Sequence, residues 1–420
     1  MGKWKIYTPD GVQDILIDEC YLKRTLEDKM RKLFNSYGFF EIETPTIEFY
    51  DVFSGNTELT PQETMFKFFD HRGRILVLRP DITIPVARIA ATKYKDRPYP
   101  IKFSYIGNMF RYDELGGGKQ KEFTQAGVEI IGESSPEADA EVIALAINAV
   151  KKAGIKDFQI DIGQVEFFKG IMEETGLSED DAEQMRALID SKDYLGIEEL
   201  VGQYKINEGL KQLILSLPGL FGSADVLDQA EKVTLNERSL RALKNLRQVL
   251  DILDDYGLSR HVSVDLGMLQ SINYYTGIIF RGFTYGVGFP ILSGGRYDNL
   301  VSEFGGNCPA TGFSLGINMI MTALERQLVE TEKPRVDTLV TYEERGRRTA
   351  FEICQILRNQ NLVVELDITR KGIASVKEYA LKVGIGGVIY ILDENTIEIH
   401  NVQTGEINKT TIQQLSGGKL

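Results

Sequence analysis

Two polar residues four positions apart, Gln125 and Glu129, lie in a segment whose alternating side chains are typical of a β-strand. Successive side chains of a strand point to opposite faces, so both residues share a face with the intervening Gly127. A carboxylate and an amide on a buried face, beside a residue without a side chain, would form a site for a small polar ligand. The pattern also fits an amphipathic hairpin with one face in solvent, and periodicity leaves both interpretations open. The full set predicted on that face is Phe123, Gln125, Gly127, Glu129 and Ile131.

Charged residues that could bind a ligand recur in the segments around this strand. Any one of them alone is more typical of a structural ion pair than of a ligand contact. Their joint pattern is therefore what carries a functional prediction. The charged candidates are Arg79, Asp81, Arg111, Asp113, Glu129 and Arg296.

Standard catalytic motifs add little to this pattern. The sequence contains no GxGxxG, no GxxxxGK[ST] and no HExxH. One GxSxG match, at residues 312–316, places Ser314 where a hydrolase would carry its nucleophile. Only His400 follows Ser314 in the chain, so we interpret this serine as a small residue in a strand. The glycines at 116–118 lack the spacing of a phosphate-binding loop and predict a mobile connection.

Composition limits the class of protein. The chain has 420 residues, of which 43% are hydrophobic and 26% charged, which is ordinary for a soluble protein of two or three domains. The three cysteines and three histidines are widely scattered, so no disulfide framework, zinc site or other cofactor is predicted. A net charge of −13 argues against a broad nucleic-acid-binding surface. No run of 18 apolar residues occurs, and we expect a cytoplasmic protein.

The helices and strands that would position the candidates follow from periodicity. Residues 101–111 and 123–131 predict two strands joined by a polar, glycine-rich loop. An amphipathic helix is predicted over 19–37, where apolar residues recur at helical spacing. Further strands are predicted at 262–266, 277–283, 289–292 and 311–315, and further helices at 85–93, 136–153 and 318–327.

Two changes of pattern divide the chain. Residues 164–257 are almost wholly helical in pattern, and we interpret them as a helical insertion between strands. A charged linker containing Pro334 precedes residues 336–420, where strands and helices alternate. The predicted architecture is α+β: residues 1–330 form an antiparallel sheet flanked by helices, and 336–420 form a separate α/β domain. Candidate N-caps within the insertion are Ser178, Asn207 and Asn236.

Eight short segments occur in a specific order. They are TPDGVQDI (8–15), YGFFEIETP (37–45), LRPDIT (78–83), MFRYD (109–113), QAGVE (125–129), SINYYTG (271–277), GGRYDNL (294–300) and ATGFSLG (310–316). Their order resembles that of the histidyl-tRNA synthetases, from about residue 6 to residue 328, with an interruption at the helical insertion. The resemblance implies a class II aminoacyl-tRNA synthetase fold, with the second and fourth segments as motifs 1 and 2. It also implies a homodimer through Glu19–Ile47.

The resemblance further implies a binding site for histidine. In the family, an acidic residue and a threonine hold the ammonium group, a glutamine and a glutamate belong to the histidine pocket, and two tyrosines line the imidazole site. A carboxylate and a hydroxyl can bind an ammonium group, and a carboxylate can accept a hydrogen bond from an imidazole. The motif 2 arginine, Arg111, is expected to hold the carboxylate of bound histidine. The candidate residues are Asp81, Thr83, Arg111, Gln125, Glu129, Tyr274 and Tyr275.

The chain also departs from the family. Motif 3 should end in an acidic residue and an arginine that grips the γ-phosphate of ATP, and these places hold Asn318 and Met319. The histidine-specific segment should begin with an arginine, and here that place is Gln270. Asn273 and Thr124 replace an aspartate and a histidine. Because losing one preorganised donor costs about 10²–10³ in rate, we predict essentially no adenylation.

A chain that keeps groups for binding histidine and lacks groups for activating it resembles a paralogous family, the regulatory subunits of short-form ATP phosphoribosyltransferase. The resemblance implies a subunit without catalysis of its own, which supports a small catalytic subunit in the first step of histidine biosynthesis. It also implies feedback inhibition by L-histidine and a homodimer within a hetero-oligomer, with no role for tRNA or membranes. Histidine could bind in the synthetase-like pocket or at a subunit interface.

Two other functions stay open at this point. An active or divergent histidyl-tRNA synthetase would form an adenylate from ATP. It would have to do so with Gln270 and Met319 in the places where the family has arginines. A synthetase-like sensor of uncharged tRNA would show salt-dependent binding through a basic patch. Neither the residues nor the net charge of −13 favours these alternatives. The C-terminal region, which gives no specific match, would be a remnant of an anticodon-binding domain or a partner-binding module.

Overall fold

The chain divides by its internal contacts into two units, Met1–Thr331 and Glu332–Leu420. Each unit has its own sheet and its own hydrophobic core. Among the described residues, no helix combines the length and the apolar character needed to cross a membrane. This computed structural model describes residues 3–54, 61–112, 120–269, 274–412 and 414.

The helices predicted at 19–37, 85–93, 136–153 and 318–327 are confirmed, with ends that differ by at most two residues. The helices are α1 (Ile17–Ser36), α2 (Thr83–Lys93), α3 (Pro136–Ala153), α4 (Val165–Thr175), α5 (Glu179–Asp190), α6 (Tyr194–Gly202), α7 (Glu208–Ser216), α8 (Asp225–Val233), α9 (Glu237–Asp255), α10 (Ile317–Arg326), α11 (Arg347–Asn359) and α12 (Ile373–Lys382). The strands are β1 (Phe40–Glu41), β2 (Ile47–Phe49), β3 (Lys67–Phe69), β4 (Ile75–Leu78), β5 (Ile101–Phe110), β6 (Glu122–Ile131), β7 (Phe158–Gln164), β8 (Phe221–Gly222), β9 (Val262–Asp265), β10 (Ile278–Thr284), β11 (Leu292–Arg296), β12 (Ala310–Gly316), β13 (Thr338–Tyr342), β14 (Val364–Leu366), β15 (Gly387–Ile391), β16 (Ile397–Asn401) and β17 (Ile407–Thr410).

A nine-stranded sheet forms the centre of the first unit, in the order β1-β5-β6-β12-β11-β10-β7-β9-β8. Neighbouring strands are antiparallel except for the parallel pairs β1·β5 and β7·β9. The predicted α+β fold, a largely antiparallel sheet flanked by helices, is therefore confirmed. Because β6, β12, β11 and β10 are adjacent, segments far apart in sequence present their side chains on one surface.

The two faces of β6 have different surroundings, as the alternation in its sequence predicts. Ala126, Val128 and Ile130 are buried in a core that includes helices α1 and α3. On the other face, Ile131 packs in a second cluster with residues of helix α2. The candidate residues of this strand lie on the same face as Ile131, opposite to the main helical core.

One predicted strand is wrong. The prediction placed a strand at 289–292, whereas β11 begins at Leu292 and continues through Gly294 and Gly295 to Arg296. Consecutive glycines are typical of turns, which is why the sequence pattern ended the strand too early. Pairing with β10 on one side and β12 on the other holds the glycines in the sheet.

The insertion at 164–257 is helical apart from β8, and its three predicted N-caps are confirmed. The Ser178 hydroxyl accepts a hydrogen bond from the backbone N–H of Asp181 at 3.1 Å. The side chains of Asn207 and Asn236 accept from backbone N–H groups at the starts of α7 and α9. These caps end each loop and fix where the next helix begins.

Two smaller sheets complete the described residues. In the first unit, β2, β4 and β3 form an antiparallel sheet, and its β3–β4 turn is closed by the Asp70 carboxylate, which accepts from the N–H groups of Arg72 and Arg74. In the second unit the order is β14-β13-β15-β16-β17, with β13 parallel to both of its neighbours.

Candidate functional site

A cavity of about 740 Å³ lies on the face of the nine-stranded sheet that carries Glu129. The register sets Glu129 opposite Gly312 of β12, and Gly312 opposite Gly295 of β11. A Cβ atom at Gly312 would lie 1.7 Å from Oε2 of Glu129, so only glycine leaves room for the carboxylate. The glycines thus make the floor on which the side chains of β6 can lie.

All seven candidate histidine-binding residues line this one cavity. They come from four separate parts of the chain: the start of α2, the end of β5, strand β6 and the segment before β10. The sheet order brings these parts together across about 190 residues of sequence. Their ligand stays a prediction. The residues are Asp81, Thr83, Arg111, Gln125, Glu129, Tyr274 and Tyr275.

Glu129 is the most deeply buried carboxylate of the cavity, with 1% of its surface exposed. The Tyr297 hydroxyl donates a short hydrogen bond to its Oε2, and the Tyr105 hydroxyl donates to its Oε1 at 3.3 Å. Burial raises the pKa of Glu129 to about 8, although hydrogen bonds from Tyr297, Thr83 and Tyr105 favour the charged form. The group can therefore donate or accept a hydrogen bond near neutral pH.

Asp81 lies two residues before the first residue of helix α2. Its Oδ1 accepts a hydrogen bond from the backbone N–H of Ile84 at 3.0 Å, at the end of the helix where N–H groups lack partners. Burial raises the pKa of Asp81, and the guanidinium of Arg111, 3.9 Å away, opposes this shift. A carboxylate in this position can attract a cationic group into the cavity.

Arg111 is held in place by the backbone and by a ring. Its Nε donates to the carbonyl of Pro80 at 2.8 Å, and its guanidinium lies 5.8 Å from the centre of the Phe123 ring. These contacts leave some of its five N–H donors for a ligand. Arg111 therefore sits at the same end of the cavity as Asp81.

Three tyrosine rings form an aromatic wall. The rings of Tyr274 and Tyr275 meet edge to face at 4.8 Å, and Tyr274 stacks on Tyr297 at 5.4 Å with the planes 17° apart. Burial raises the pKa of all three phenols well above the usual value, so each stays a hydrogen-bond donor. Such a wall suits one face of a flat ring such as imidazole.

Two of the charged candidates have structural roles. Arg296 forms a buried ion pair with Asp139, with Nη2 2.9 Å from Oδ1, and this fastens β11 to helix α3. Arg79 donates from Nε to the carbonyl of Asn108 at 2.8 Å and from Nη1 to the carbonyl of Thr44. Neither lines the cavity. Ser314, the serine of the GxSxG match, lies within β12, opposite Gly127 and Ser293, which confirms its interpretation as a strand residue.

The two motif 3 positions differ from each other in surroundings. Oδ1 of Asn318 accepts from the backbone N–H of Thr124 at 2.8 Å, and its Nδ2 donates to Gln120 at 2.7 Å. The amide thus joins helix α10 to the start of β6. Met319, the next residue, lines the cavity with an uncharged thioether. Gln270, Asn273, Asp113 and the glycines at 116–118 lie outside the described residues.

Sequence reasoning missed Tyr297 and Arg281, which line the cavity, and Tyr105, which donates a hydrogen bond to Glu129. Tyr105 lies on β5 opposite Gly127, and a Cβ at Gly127 would come within 2.4 Å of its hydroxyl. The alternation in β5 could have placed Tyr105 on the cavity face once the register with β6 was known. Among the described residues, no three His, Cys, Asp or Glu side chains are grouped closely enough to hold a metal ion.

Comparison with known proteins identifies the class of this fold. The family model described as histidyl-tRNA synthetase matches residues 11–320. A histidyl-tRNA synthetase structure from Nostoc is 24% identical with a TM-score of 0.83, covers 98% of each chain, and shares the fold. A structure described as ATP phosphoribosyltransferase regulatory subunit/histidyl-tRNA synthetase, from Bacillus halodurans, is 32% identical with a TM-score of 0.83. It covers 93% of this chain and 99% of that one. The chain has a histidyl-tRNA synthetase fold.

Sequence relatives define the family within that class. A protein of Acetivibrio thermocellus named ATP phosphoribosyltransferase regulatory subunit is 66% identical over 99% of both chains. A protein of the same name from Ruminiclostridium cellulolyticum is 57% identical, again over 99% of both chains. The chain belongs to the family of ATP phosphoribosyltransferase regulatory subunits.

Proposed function

We propose that this chain is a non-catalytic regulatory subunit of ATP phosphoribosyltransferase, cytoplasmic, and that L-histidine binds in the cavity over β6. In this role it supports the first step of histidine biosynthesis and carries feedback inhibition to a catalytic partner subunit. The observation that carries the proposal is the convergence of two buried carboxylates, Asp81 and Glu129, with an aromatic wall in one cavity. The names of the relatives support the regulatory role.

The chemistry of the cavity matches the three polar parts of histidine. Asp81 and Thr83 suit the ammonium group, and Arg111 suits the carboxylate. Glu129 suits the imidazole, because it can accept from the ring when ionised and donate to the ring when protonated. The stack of Tyr274 on Tyr297 supports a position for the imidazole beside that wall.

The proposed lack of adenylation follows from missing positive charges in the cavity. Adenylyl transfer needs cations placed where negative charge develops, and a neutral Met319 supplies none. Asn318 is already engaged with Thr124 and Gln120. Together with Gln270, these residues support a site that binds the amino acid without activating it.

Regulation then follows from linkage. Histidine can inhibit the partner only if it binds one conformation of the assembly more tightly than another. Coupling of this kind typically amounts to about 1–3 kcal/mol, roughly 5- to 150-fold in affinity. We propose that the effect of histidine reaches the partner through a hetero-oligomer that contains a homodimer of this chain. The homodimer would form through Glu19–Ile47. Exposed apolar side chains in that region support it, among them Phe40 at 71% and Ile47 at 50% exposure.

The main alternative is an active histidyl-tRNA synthetase, which the match of the family model favours. It predicts exchange of pyrophosphate into ATP that depends on histidine. Our proposal predicts histidine binding without exchange. A tRNA-binding sensor is a weaker alternative, because a net charge of −13 does not favour a polyanion as partner.

The test is calorimetric titration of L-histidine into the full chain, with and without ATP and magnesium, followed by pyrophosphate exchange on the same sample. Asp81→Asn and Glu129→Gln should each weaken histidine binding by about 10- to 100-fold, since the first removes a negative charge beside the ammonium group and the second removes a carboxyl group that can both accept and donate at one oxygen. The exposed Asp51 and Glu63 provide matched controls, Asp51→Asn and Glu63→Gln, which should bind as the unmodified chain does. Exchange well above background would contradict the proposal.

A further inference from the structure

The cavity contains an arginine, Arg281, that the proposed histidine site does not use. Arg281 lies on β10, and Glu129 lies on β6, three strands away. Three interstrand spacings of about 4.8 Å place the two strands roughly 14 Å apart. Histidine that contacts Glu129 already has Arg111 for its carboxylate, because Arg111 lies beside Asp81. Arg281 therefore stands available for a different group.

Hydroxyl groups surround this arginine on the cavity side. The register sets Arg281 opposite Ser293 of β11, and Ser293 opposite Ser314 of β12, so the three side chains share one row of the sheet face. All three line the cavity. Gly295 lies on the same face as Ser293, two residues along β11, and its lack of a side chain leaves space beside the row. An arginine with serine hydroxyls along the same row can bind a phosphate or a carboxylate through charge and hydrogen bonds.

The acidic residues near Arg281 lie on its other side. Asp161 of β7 is its cross-strand neighbour there, and the Asp161 carboxylate is occupied by the Ser263 hydroxyl. Asp190 and Asp265 also attract the guanidinium and favour its charged form. The guanidinium is half-buried and keeps donors for a ligand.

We propose that Arg281, Ser293 and Ser314 form a second subsite in the cavity, which binds an anionic oxygen group of a small molecule other than the carboxylate of histidine. The shared chemistry is an oxyanion, carried by a phosphorylated or a carboxylated molecule. Phe283 and Phe289 also line this part of the cavity and would contact an apolar portion of such a ligand. Burial lowers the pKa of Arg281, and a bound anion would favour its charged form.

The experiment is titration of inorganic phosphate, pyrophosphate and succinate into the full chain at low ionic strength, with L-histidine titrated separately. Arg281→Gln should weaken the binding of the preferred anion by tenfold or more. Arg281→Lys should weaken it by less, because lysine keeps the positive charge but lacks the planar guanidinium with its paired N–H donors. Ser293→Ala should weaken it by about threefold. The control Arg241→Gln removes an exposed arginine of α9 and should leave anion binding unchanged.

Preference for phosphate or for succinate would identify the source of the oxyanion, and either supports the subsite. Absence of anion binding at about 10 mM, or equal binding by Arg281→Gln and the unmodified chain, would overturn it. An equal loss of histidine and anion binding in Arg281→Gln would also overturn it, because Arg281 would then belong to the histidine site. The subsite does not depend on the proposed function: anion binding that needs Arg281 would support it even if histidine failed to bind.

Discussion

The two ends of β6 differ in how the chain uses the same synthetase fold. Near Glu129, three hydroxyl groups and a glycine floor surround a buried carboxylate that lines the cavity. Near Thr124, the side chain of Asn318 is occupied by contacts within the protein, and the adjacent Met319 carries no charge. Under the proposed function, the groups for binding histidine lie at one end of β6, while Asn318 at the other end makes structural contacts. A fold can keep recognition after it has lost reaction chemistry, because the two depend on different residues.

The largest effect is expected from Gly312→Ala. The new methyl carbon would lie 1.7 Å from Oε2 of Glu129, so the carboxylate or β12 must move. We expect histidine affinity to fall more than 100-fold and the free energy of unfolding to fall by about 3 kcal/mol, measured by calorimetry and denaturant unfolding. Gly288→Ala, where a Cβ meets nothing within 4 Å, is the matched control. Unchanged histidine binding in Gly312→Ala would show that the cavity over Glu129 is not the histidine site.

Stability should depend on pH through Glu129. Its pKa is about 8 in the folded chain and about 4.3 when unfolded, so between these values the folded state holds a proton that the unfolded state has released. Stability therefore falls as pH rises through this range, by up to about 1.4 kcal/mol per pH unit, and levels off above pH 8. Glu129→Gln should flatten this slope in denaturant unfolding at pH 6 to 9. An identical pH slope in the unmodified chain and in Glu129→Gln would contradict the assignment of this pH dependence to Glu129. The control Glu63→Gln should keep the slope of the unmodified chain.

At the other end of β6, Asn318→Ala should affect stability and leave recognition intact. It removes hydrogen bonds to the N–H of Thr124 and to Gln120, which should cost about 1–2 kcal/mol in the free energy of unfolding. Histidine affinity should stay within about threefold of the unmodified value, since the lost contacts lie outside the candidate set. Asn35→Ala, at an exposed position of α1, is the control. A large loss of histidine binding would remove the distinction between the two ends.

The smallest effect is expected from Met319→Arg. This change restores a cation at one motif 3 position, while Asn318 and Gln270 stay as they are. Because catalysis needs several preorganised donors together, pyrophosphate exchange should stay at background. Exchange that appears with this single change would mean that the chain lies one residue from a working synthetase.

The contrast between the two ends also shows what sequence can predict. Period-2 alternation placed Gln125 and Glu129 on one face, and capping chemistry placed the helix starts at Ser178 and Asn236, because both signals are local. The hydrogen bond from Tyr297 to Glu129 joins residues 168 positions apart, and only the sheet register reveals it. Local patterns could not place Arg281 in the cavity for the same reason.

The most direct test of the regulatory role uses the assembled enzyme. The catalytic subunit of ATP phosphoribosyltransferase would be assayed alone, with this chain, and with its Asp81→Asn and Glu129→Gln variants, while L-histidine is titrated. We predict activity that depends on this chain and is inhibited by histidine, with inhibition shifted to at least tenfold higher histidine concentration in both variants. Inhibition at the same histidine concentration in all three assemblies would contradict it and would move the regulatory site away from this cavity.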